Sequence, residues 1–264
     1  FAIIKEFLCD RVIRPRIIPC LTLYEGMLYK TQKFKEPIYL GDPYITVRIF
    51  NDLEVDELII LDYSYKEPDF TLLEDMASEA FMPLVYGGGV RCIDDFDQVI
   101  KAGFEKVSLN TMHLDKPELV QELADRYGSS TLVASVDLKK NLFSKFSIFH
   151  KYSNSKNLKH ELGAYLLYLE ELGFGEVVLN LIDNEAQMRG FDKKVLKEIP
   201  EDLHIPLLVQ GGIGSVDDII TVLKCREVSG VVCGAFFVLN GRFKTPLISF
   251  LDQEDFFKII AEIT

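Results

Sequence analysis

Eight short runs, apolar on both faces, constrain this chain more than any other feature. They are RIIPCL (16–21), ELIILD (57–62), PLVYGG (83–88), KVSLN (106–110), TLVASVD (131–137), EVVLNL (176–181), PLLVQGG (206–212) and GVVCGA (230–235). A half-exposed strand alternates apolar and polar residues, whereas a run apolar throughout fits a parallel strand covered on both faces. Between the runs lie stretches of helical periodicity at 43–54, 69–80, 93–103, 116–128, 160–173 and 216–225. Three of these close on Gly103, Gly128 and Gly173, the residue type that ends helices in a left-handed turn. Eight β-then-α units within 264 residues predict a (β/α)8 barrel. A doubly wound sheet is the competing arrangement, but it rarely supplies eight such regular strands. No linker rich in Pro, Gly or Ser interrupts the pattern. One domain over 1–264 is therefore expected, with residues 1–14 as an N-terminal extension.

The pattern also repeats. GGGV (87–90), then a helix and KVSLNT, recurs about 124 residues later as GGIG (211–214), then a helix and GVVCGA. IPCLTLYEG (18–26) and LVASVDLKK (132–140) are likewise paired; Thr22 and Asp137, each ending its apolar run, lie 115 residues apart. Two half-barrels of four units explain both offsets and make these segments strands one and five, on opposite sides of the mouth.

Composition narrows the function. A net charge of −12 and a pI near 4.9 leave no general basic face for nucleic acid or an acidic membrane. A local cationic pocket for a phosphorylated small molecule remains compatible with that charge. The five cysteines, Cys9, Cys20, Cys92, Cys225 and Cys233, form no CxxC pair. Cys20 and Cys233 sit inside apolar runs, as small core residues do in a reducing cytoplasm. His113, His150, His160 and His204 lack metal-ligand spacing, so no metal site is expected. No apolar run approaches the ~20 residues of a membrane span and no signal peptide is evident, although the chain begins at Phe1 rather than Met.

Chemistry in a barrel of this kind belongs at the C-terminal ends of the strands. The glycines at 87–89 and at 211, 212 and 214 each follow a strand, where bare backbone N–H groups can approach an anion, or where glycine simply permits a tight turn. Asn110-Thr111 and Gly234-Ala235 end the next strands and lead toward helix starts that favour phosphate. Lys30, Asp62, Asp137 and Asp183 are the ionisable groups expected at the mouth. Asp137 ends an apolar strand, where burial raises a carboxylate toward useful acid–base values; a structural cap is the alternative. Lys30, in MLYKTQKF, belongs either to a substrate-covering loop or to a solvated surface hairpin. At the other end Arg16, Glu57, Lys106 and Glu176 each open an apolar strand. They are either a solvated rim or a mutually neutralising ring across the axis.

These motifs, in order from Arg16 to about residue 240, resemble the cyclase subunit of imidazole glycerol phosphate synthase, the HisF family. The resemblance rests on IIPCL, LYKTQKF, ELIILD, YGGGV, KVSLNT, VASVD and VQGGIG. It implies an ammonia-dependent synthase or lyase subunit, without a cofactor, that receives ammonia from a HisH-like glutaminase at the barrel floor. Ammonia would then pass along the axis to a phosphorylated substrate. The resemblance gives Arg16, Glu57, Lys106 and Glu176 the role of an ammonia gate and Glu105 a contact with the glutaminase. It makes Lys30 the loop lysine, and Gly89, Asn110, Thr111, Gly212, Gly234 and Ala235 phosphate ligands, with Gly211 in the same cluster.

The departures from that pattern are informative. The cyclase reaction uses an aspartate at the end of strand one and another at the end of strand five. Asp137 matches the second, and Thr22 stands at the first. Losing one of two proton-transfer groups costs on the order of 10²–10⁴ in rate. In the strand-six loop IDNEAQ (182–187), Asp183 matches, Glu185 replaces an aspartate, and Ala186 replaces a glycine. The stretch TQKFKEPIYLGDPYITVRIFNDLEVDEL (31–58) is similar to the WbuZ-type branch, associated with glycosyl amidation in bacterial surface-polysaccharide clusters, including lipopolysaccharide. That likeness implies a HisH-like glutaminase, this barrel and an ATP-dependent sugar amidotransferase acting on a nucleotide-linked sugar. The alternative is a histidine-pathway cyclase with a substituted acid–base pair.

Overall fold

A computed structural model describes residues 14–32, 35–64, 66–141, 145–150, 161–241 and 243–263. The expected extension therefore lies outside the described residues except for Arg14, as do Cys9 and His160. The eight apolar runs form eight parallel barrel strands. These are β1 (Arg16–Tyr24), β2 (Leu58–Asp62), β3 (Leu84–Gly87), β4 (Lys106–Leu109), β5 (Leu132–Lys140), β6 (Glu176–Leu181), β7 (Leu207–Gln210) and β8 (Gly230–Cys233). Each strand pairs with its sequence neighbour, and β8 closes on β1 through Arg16–Gly230 to Pro19–Cys233. The sheet has no free edge around the barrel, so the (β/α)8 expectation holds.

The half-barrel repeat is written in the registers. Cys20 pairs with Ile59, and Ser135 with Val178. Leu58 pairs with Leu84, and Val177 with Leu207. Val85 pairs with Lys106, and Leu208 with Gly230. Val107 pairs with Leu132, and Val231 with Ile17. Each second pair is the first carried over by half a barrel, 115 residues on from β1 to β5 and 124 from β4 to β8. The two different sequence offsets thus reflect longer connections in the second half, not a broken repeat.

Alternation along the strands sorts two cores. Ile18, Cys20, Ile59, Val85, Val133, Val178, Leu208 and Val232 fill the barrel interior. The opposite faces, including Leu21, Leu58, Tyr86, Val107, Ala134, Leu179 and Val231, pack under the helices. Those helices are α1 (Pro43–Asp52), α2 (Phe70–Ser78), α3 (Ile93–Lys101), α4 (Pro117–Tyr127), α5 (Leu162–Glu171), α6 (Val216–Leu223) and a C-terminal α7 (Gln253–Ile263). Local chemistry sets their starts. Asp42, Asp69 and Ser215 accept hydrogen bonds from the N–H groups of Ile45, Leu72 and Asp218 at 3.0–3.1 Å. The β6–β7 connection carries only two 3₁₀ segments, Ile182–Asn184 and Lys193–Glu198, the second ending just before Pro200, which bars an α-helical continuation. The C-terminal helix was not anticipated from the sequence. Among the described residues no helix is long and apolar enough to cross a membrane.

After β1 the chain forms an antiparallel hairpin, Met27–Gln32 with Lys35–Gly41, that extends the sheet beyond the mouth. Lys30 lies on it and is 3% exposed, so the solvated surface hairpin does not describe it.

Candidate functional site

At the floor, the four charged strand-opening residues close into one ring. Arg16 donates to Glu57 Oε2 at 2.5 Å and also to Glu176 Oε1. Lys106 Nζ donates to Glu57 Oε1 and Glu176 Oε2, both at 3.0 Å. Each carboxylate holds both cations, so the ring is neutral and fully hydrogen-bonded. Glu57 and Glu176 are buried, at 2% and 4% exposure, which rules out the solvated-rim alternative. Burial alone depresses the Arg16 guanidinium, but the Glu176 and Glu57 carboxylates outweigh it and hold its pKa raised. Glu105 is exposed beside this ring, its N–H bonded to the Leu84 carbonyl at 3.0 Å.

Above the ring lies the apolar interior layer, and above that a polar one. Asp137, half-buried in the C-terminal half of β5, accepts from Asn180 Nδ2 at 2.8 Å and from Asn110 Nδ2 at 3.2 Å. Burial raises its pKa; the two amides oppose that, and the Glu185 charge adds to it. Lys30 Nζ donates to Glu185 Oε1 at 3.0 Å, a buried pair linking the β1 hairpin to the strand-six loop. Lys30 also lies against Gly234, where an added Cβ would sit 2.8 Å from Nζ. Gln210 donates to Cys20 Sγ at 3.8 Å across the interior. Burial, ahead of the nearby charges, pushes the Cys20 thiol up to about 12, so Cys20 is an inert interior residue, as expected.

Thr22 and Asp137 occupy equivalent places. Thr22 is opposite Leu61 on β2, and Asp137 is opposite Asn180 on β6, as the half-barrel shift requires. Alternation with Ile18 and Cys20 places Thr22 on the inner face. Where β5 offers a carboxylate to the mouth, β1 offers a hydroxyl.

The remaining expected positions have individual accounts. Gly89 has φ +70°, and a Cβ there would come within 2.3 Å of the Lys66 carbonyl. Gly212 has φ +95°, and its Cβ would meet the Gly190 carbonyl at the same distance. Packing between adjacent βα loops thus requires glycine at both places, whatever else they bind. Gly211 lies similarly close to Leu181. Thr111 opens the one-turn helix Met112–Asp115, and Ala235 opens Ala235–Val238. The Asn110 side chain is spent on Asp137 and on the Ser135 carbonyl. Asp183 accepts the Lys140 N–H at 2.9 Å. Ala186 keeps a glycine-like backbone at φ +52°, and its carbonyl accepts Lys244 Nζ at 2.9 Å. One expectation needs correction. Leu61 is the inward residue at the end of β2, so Asp62 faces the outer side, bonded to Tyr86 and to the Ser64 N–H. Two surface hollows of about 390 and 460 Å³ are lined by segments that follow the C-terminal ends of β3, β4 and β6, and neither is lined by Lys30, Asp137 or Glu185.

A sequence model described as histidine biosynthesis protein matches residues 16–244. The chain belongs to that family. Similar proteins carry the HisF subunit name. One, provisionally named imidazole glycerol phosphate synthase subunit hisF2 in Pseudomonas aeruginosa, is 39% identical over 91% of this chain and 97% of its own. Another, provisionally named subunit hisF3 in Vibrio vulnificus, is 40% identical over 91% of this chain and 94% of its own. The imidazole glycerol phosphate synthase subunit HisF of Alkaliphilus metalliredigens is 29% identical over 87% of this chain and 92% of its own.

This HisF-like barrel also brings to its mouth residues that sequence reasoning missed. Asn180 and Gln210 are its main polar side chains besides those expected. The signal was a parity: Asn180 stands four residues after Glu176, and Gln210 two after the inward Leu208. In strands buried on both faces, nothing in the pattern says which parity points inward.

Proposed function

We propose that this barrel is the synthase subunit of a glutamine amidotransferase complex, taking ammonia at its floor and using it at its mouth. The carrying observation is the neutral ring of Arg16, Glu57, Lys106 and Glu176 on the barrel axis, directly beneath an apolar interior layer. An ion crossing that layer would lose its hydration at a cost of several kcal/mol, whereas uncharged ammonia would lose little. The HisF-like family gives the partner its chemical class, a HisH-like glutaminase docked on the floor beside Glu105.

The acceptor we propose is a nucleotide-linked sugar, amidated for surface polysaccharide with an ATP-dependent sugar amidotransferase as the third component. Two points support it: the likeness of residues 31–58 to the glycosyl-amidation branch, and Thr22 in place of one acid–base carboxylate. Anion contacts would come from the backbone around Gly89, Asn110 and Thr111 and around Gly211, Gly212, Gly234 and Ala235. Asp137 is the proton-handling group. The second reading, the ring-closing lyase of histidine biosynthesis, is favoured by the HisF relatives' names.

The test is direct. The chain is purified with its glutaminase, and glutamine turnover is expected only in the complex; no association, or turnover by the glutaminase alone, refutes the ammonia-receiving role. The ribonucleotide substrate and an ammonium salt are then supplied. Clear formation of imidazole glycerol phosphate by the unaltered chain would establish the lyase and remove the amidation reading. Inactivity rescued by Thr22→Asp would show that the scaffold has lost that role through one residue.

A further inference from the structure

Three unpaired cations gather in one hollow of a chain whose net charge is −12. Arg189, Lys193 and Lys194 all line the hollow of about 460 Å³ after β6, and their side chains form no ion pair or hydrogen bond among the described residues. The acid in the same lining, Asp192, accepts from Lys140 Nζ and from the Lys194 N–H at 3.1 Å, and also feels the Lys194 charge. Lys140 matches that carboxylate from outside the lining, so the three cations remain as surplus. Two further carboxylates of this region are engaged by backbone N–H groups, Asp183 by Lys140 and Asp218 by Gly214. The 390 Å³ hollow after β3 and β4 has the opposite balance, with Asp94, Glu118 and Glu122 against Arg91 and Lys116. Concavity alone therefore does not collect positive charge on this surface.

The loop that presents these cations is held in place. Gly190 donates its N–H to the Gly212 carbonyl at 2.8 Å, and Gln187 donates to the Asp183 and Asn184 carbonyls. Asn184 and Gly190 line the hollow and both abut Gly212, whose added Cβ would lie 3.3 Å from Asn184 Cβ and 2.3 Å from the Gly190 carbonyl. The hollow thus opens beside the glycine turn after β7. A volume within the ~300–1,000 Å³ of small-molecule sites leaves room for more than one phosphoryl group. An arginine fork and two ammonium groups offer only donors, which suits a ligand made of anionic acceptor oxygens.

We propose that Arg189, Lys193 and Lys194 bind the diphosphate group of a soluble diphosphate ester, with one of its esterified groups directed past Gly212 toward the mouth. The three cations donate charge-assisted hydrogen bonds to the phosphoryl oxygens, and no covalent bond changes. This site is separate from the backbone anion contacts at Gly211 and Gly212, because its donors are side chains of the β6 loop. The choice of a diphosphate rests on the nucleotide-linked acceptor proposed above; the cationic site itself rests on the hollow and its surplus charge.

The test needs neither the glutaminase nor an acceptor. The full chain is titrated calorimetrically with inorganic pyrophosphate, inorganic phosphate and sulfate at one ionic strength. Pyrophosphate is expected to bind at least about tenfold more tightly than the other two. Arg189→Ala, and the double change Lys193→Ala with Lys194→Ala, are each expected to weaken it about tenfold or more; Gln replaces Ala wherever a variant does not fold. Lys101→Ala with Lys224→Ala removes the same charge from exposed pairs elsewhere and should leave binding within about twofold of the parent. Equal weakening by that control pair would mean diffuse attraction to the whole surface, and pyrophosphate bound no better than sulfate would mean an unselective anion patch. Either result overturns the proposal. Co-sedimentation with phosphatidylglycerol vesicles that Arg189→Ala abolishes would make this a lipid-headgroup site and overturn it too. No pyrophosphate binding, with ammonia transfer from the glutaminase intact, would remove the site and spare the functional reading. Pyrophosphate binding that depends on Arg189, in a chain that no glutaminase joins, would do the reverse.

Discussion

Replacing Lys106 with Met is the most discriminating perturbation of the floor. Lys106 Nζ makes two 3.0 Å bonds, one to each buried carboxylate, and its side chain is 18% exposed against 3% and 6% for Glu57 and Glu176. Methionine retains most of the stem but leaves two carboxylates sharing Arg16 alone. Removing one partner of a buried ion pair costs 3–5 kcal/mol, and the partial exposure of Lys106 puts the expected loss at the low end, about 3 kcal/mol. For a chain of this size that corresponds to a fall in Tm of roughly 6–12 °C. Denaturant unfolding of Lys106→Met, Glu176→Gln and the double variant measures the coupling directly. It should exceed about 1 kcal/mol, because the double variant no longer strands a charge. With the glutaminase bound, product formed per glutamine hydrolysed should fall, while the reaction driven by added ammonium salt persists. A stability loss below about 0.5 kcal/mol, the range of an ordinary surface change, would refute the buried ring. Coupled transfer that survives both Lys106→Met and Arg16→Met would refute its role in passing ammonia.

Three further outcomes follow from the same geometry. Burial raises the Asp137 pKa, so the native chain binds an extra proton between the unfolded carboxylate value and the raised one, and this group's contribution to stability declines as pH rises through that window. Asp137→Asn should therefore gain stability relative to the parent at pH 7 and lose that advantage near pH 4, as read by unfolding at both pH values; an equal difference at the two would refute the raised pKa. Gly212→Ala would place a methyl 2.3 Å from the Gly190 carbonyl at φ +95° and should cost at least about 2 kcal/mol in thermal unfolding. An unchanged Tm would deny that close approach. Phe81, 90% exposed two residues before the Pro83 that leads into β3 at the floor, should tolerate Ser within about 0.5 kcal/mol of stability while weakening glutaminase binding about tenfold or more by titration.

The sequence carried the barrel because parallel strands buried on both faces leave uninterrupted apolar runs, and eight of them have few other uses. It carried the repeat because the half-barrels kept the same strand registers while their loops changed length. It did not carry the fate of Lys30. A lysine in a hydrophobic loop reads equally as substrate-covering or as solvated until the fold shows a buried carboxylate within reach at Glu185. Nor did it place Asp62. The end of an apolar run does not reveal which face its last residue occupies, and here Leu61 takes the inner one. Asn180 and Gln210 were hidden for the same reason, each a single polar residue in a run whose inward parity only closure of the barrel decides.

Thr22 is therefore best understood together with Glu185 rather than alone. The mouth of a duplicated barrel would be symmetric if β1 and β5 ended alike, and the registers show that their end positions still correspond. With Thr22 on β1, the carboxylate whose charge reaches Asp137 is Glu185, carried by the β6 loop and already paired with Lys30 from the hairpin after β1. An acid and a base on opposite sides of a substrate can take a proton from one face and return it to the other. A single titratable aspartate beside a charge-paired glutamate cannot do so in the same way. Such a mouth is suited to holding a neutral nucleophile and managing one proton beside it. On the reading we propose, that chemistry is ammonia addition rather than ring closure, and Thr22→Asp tests the distinction by supplying the opposed geometry in a single step.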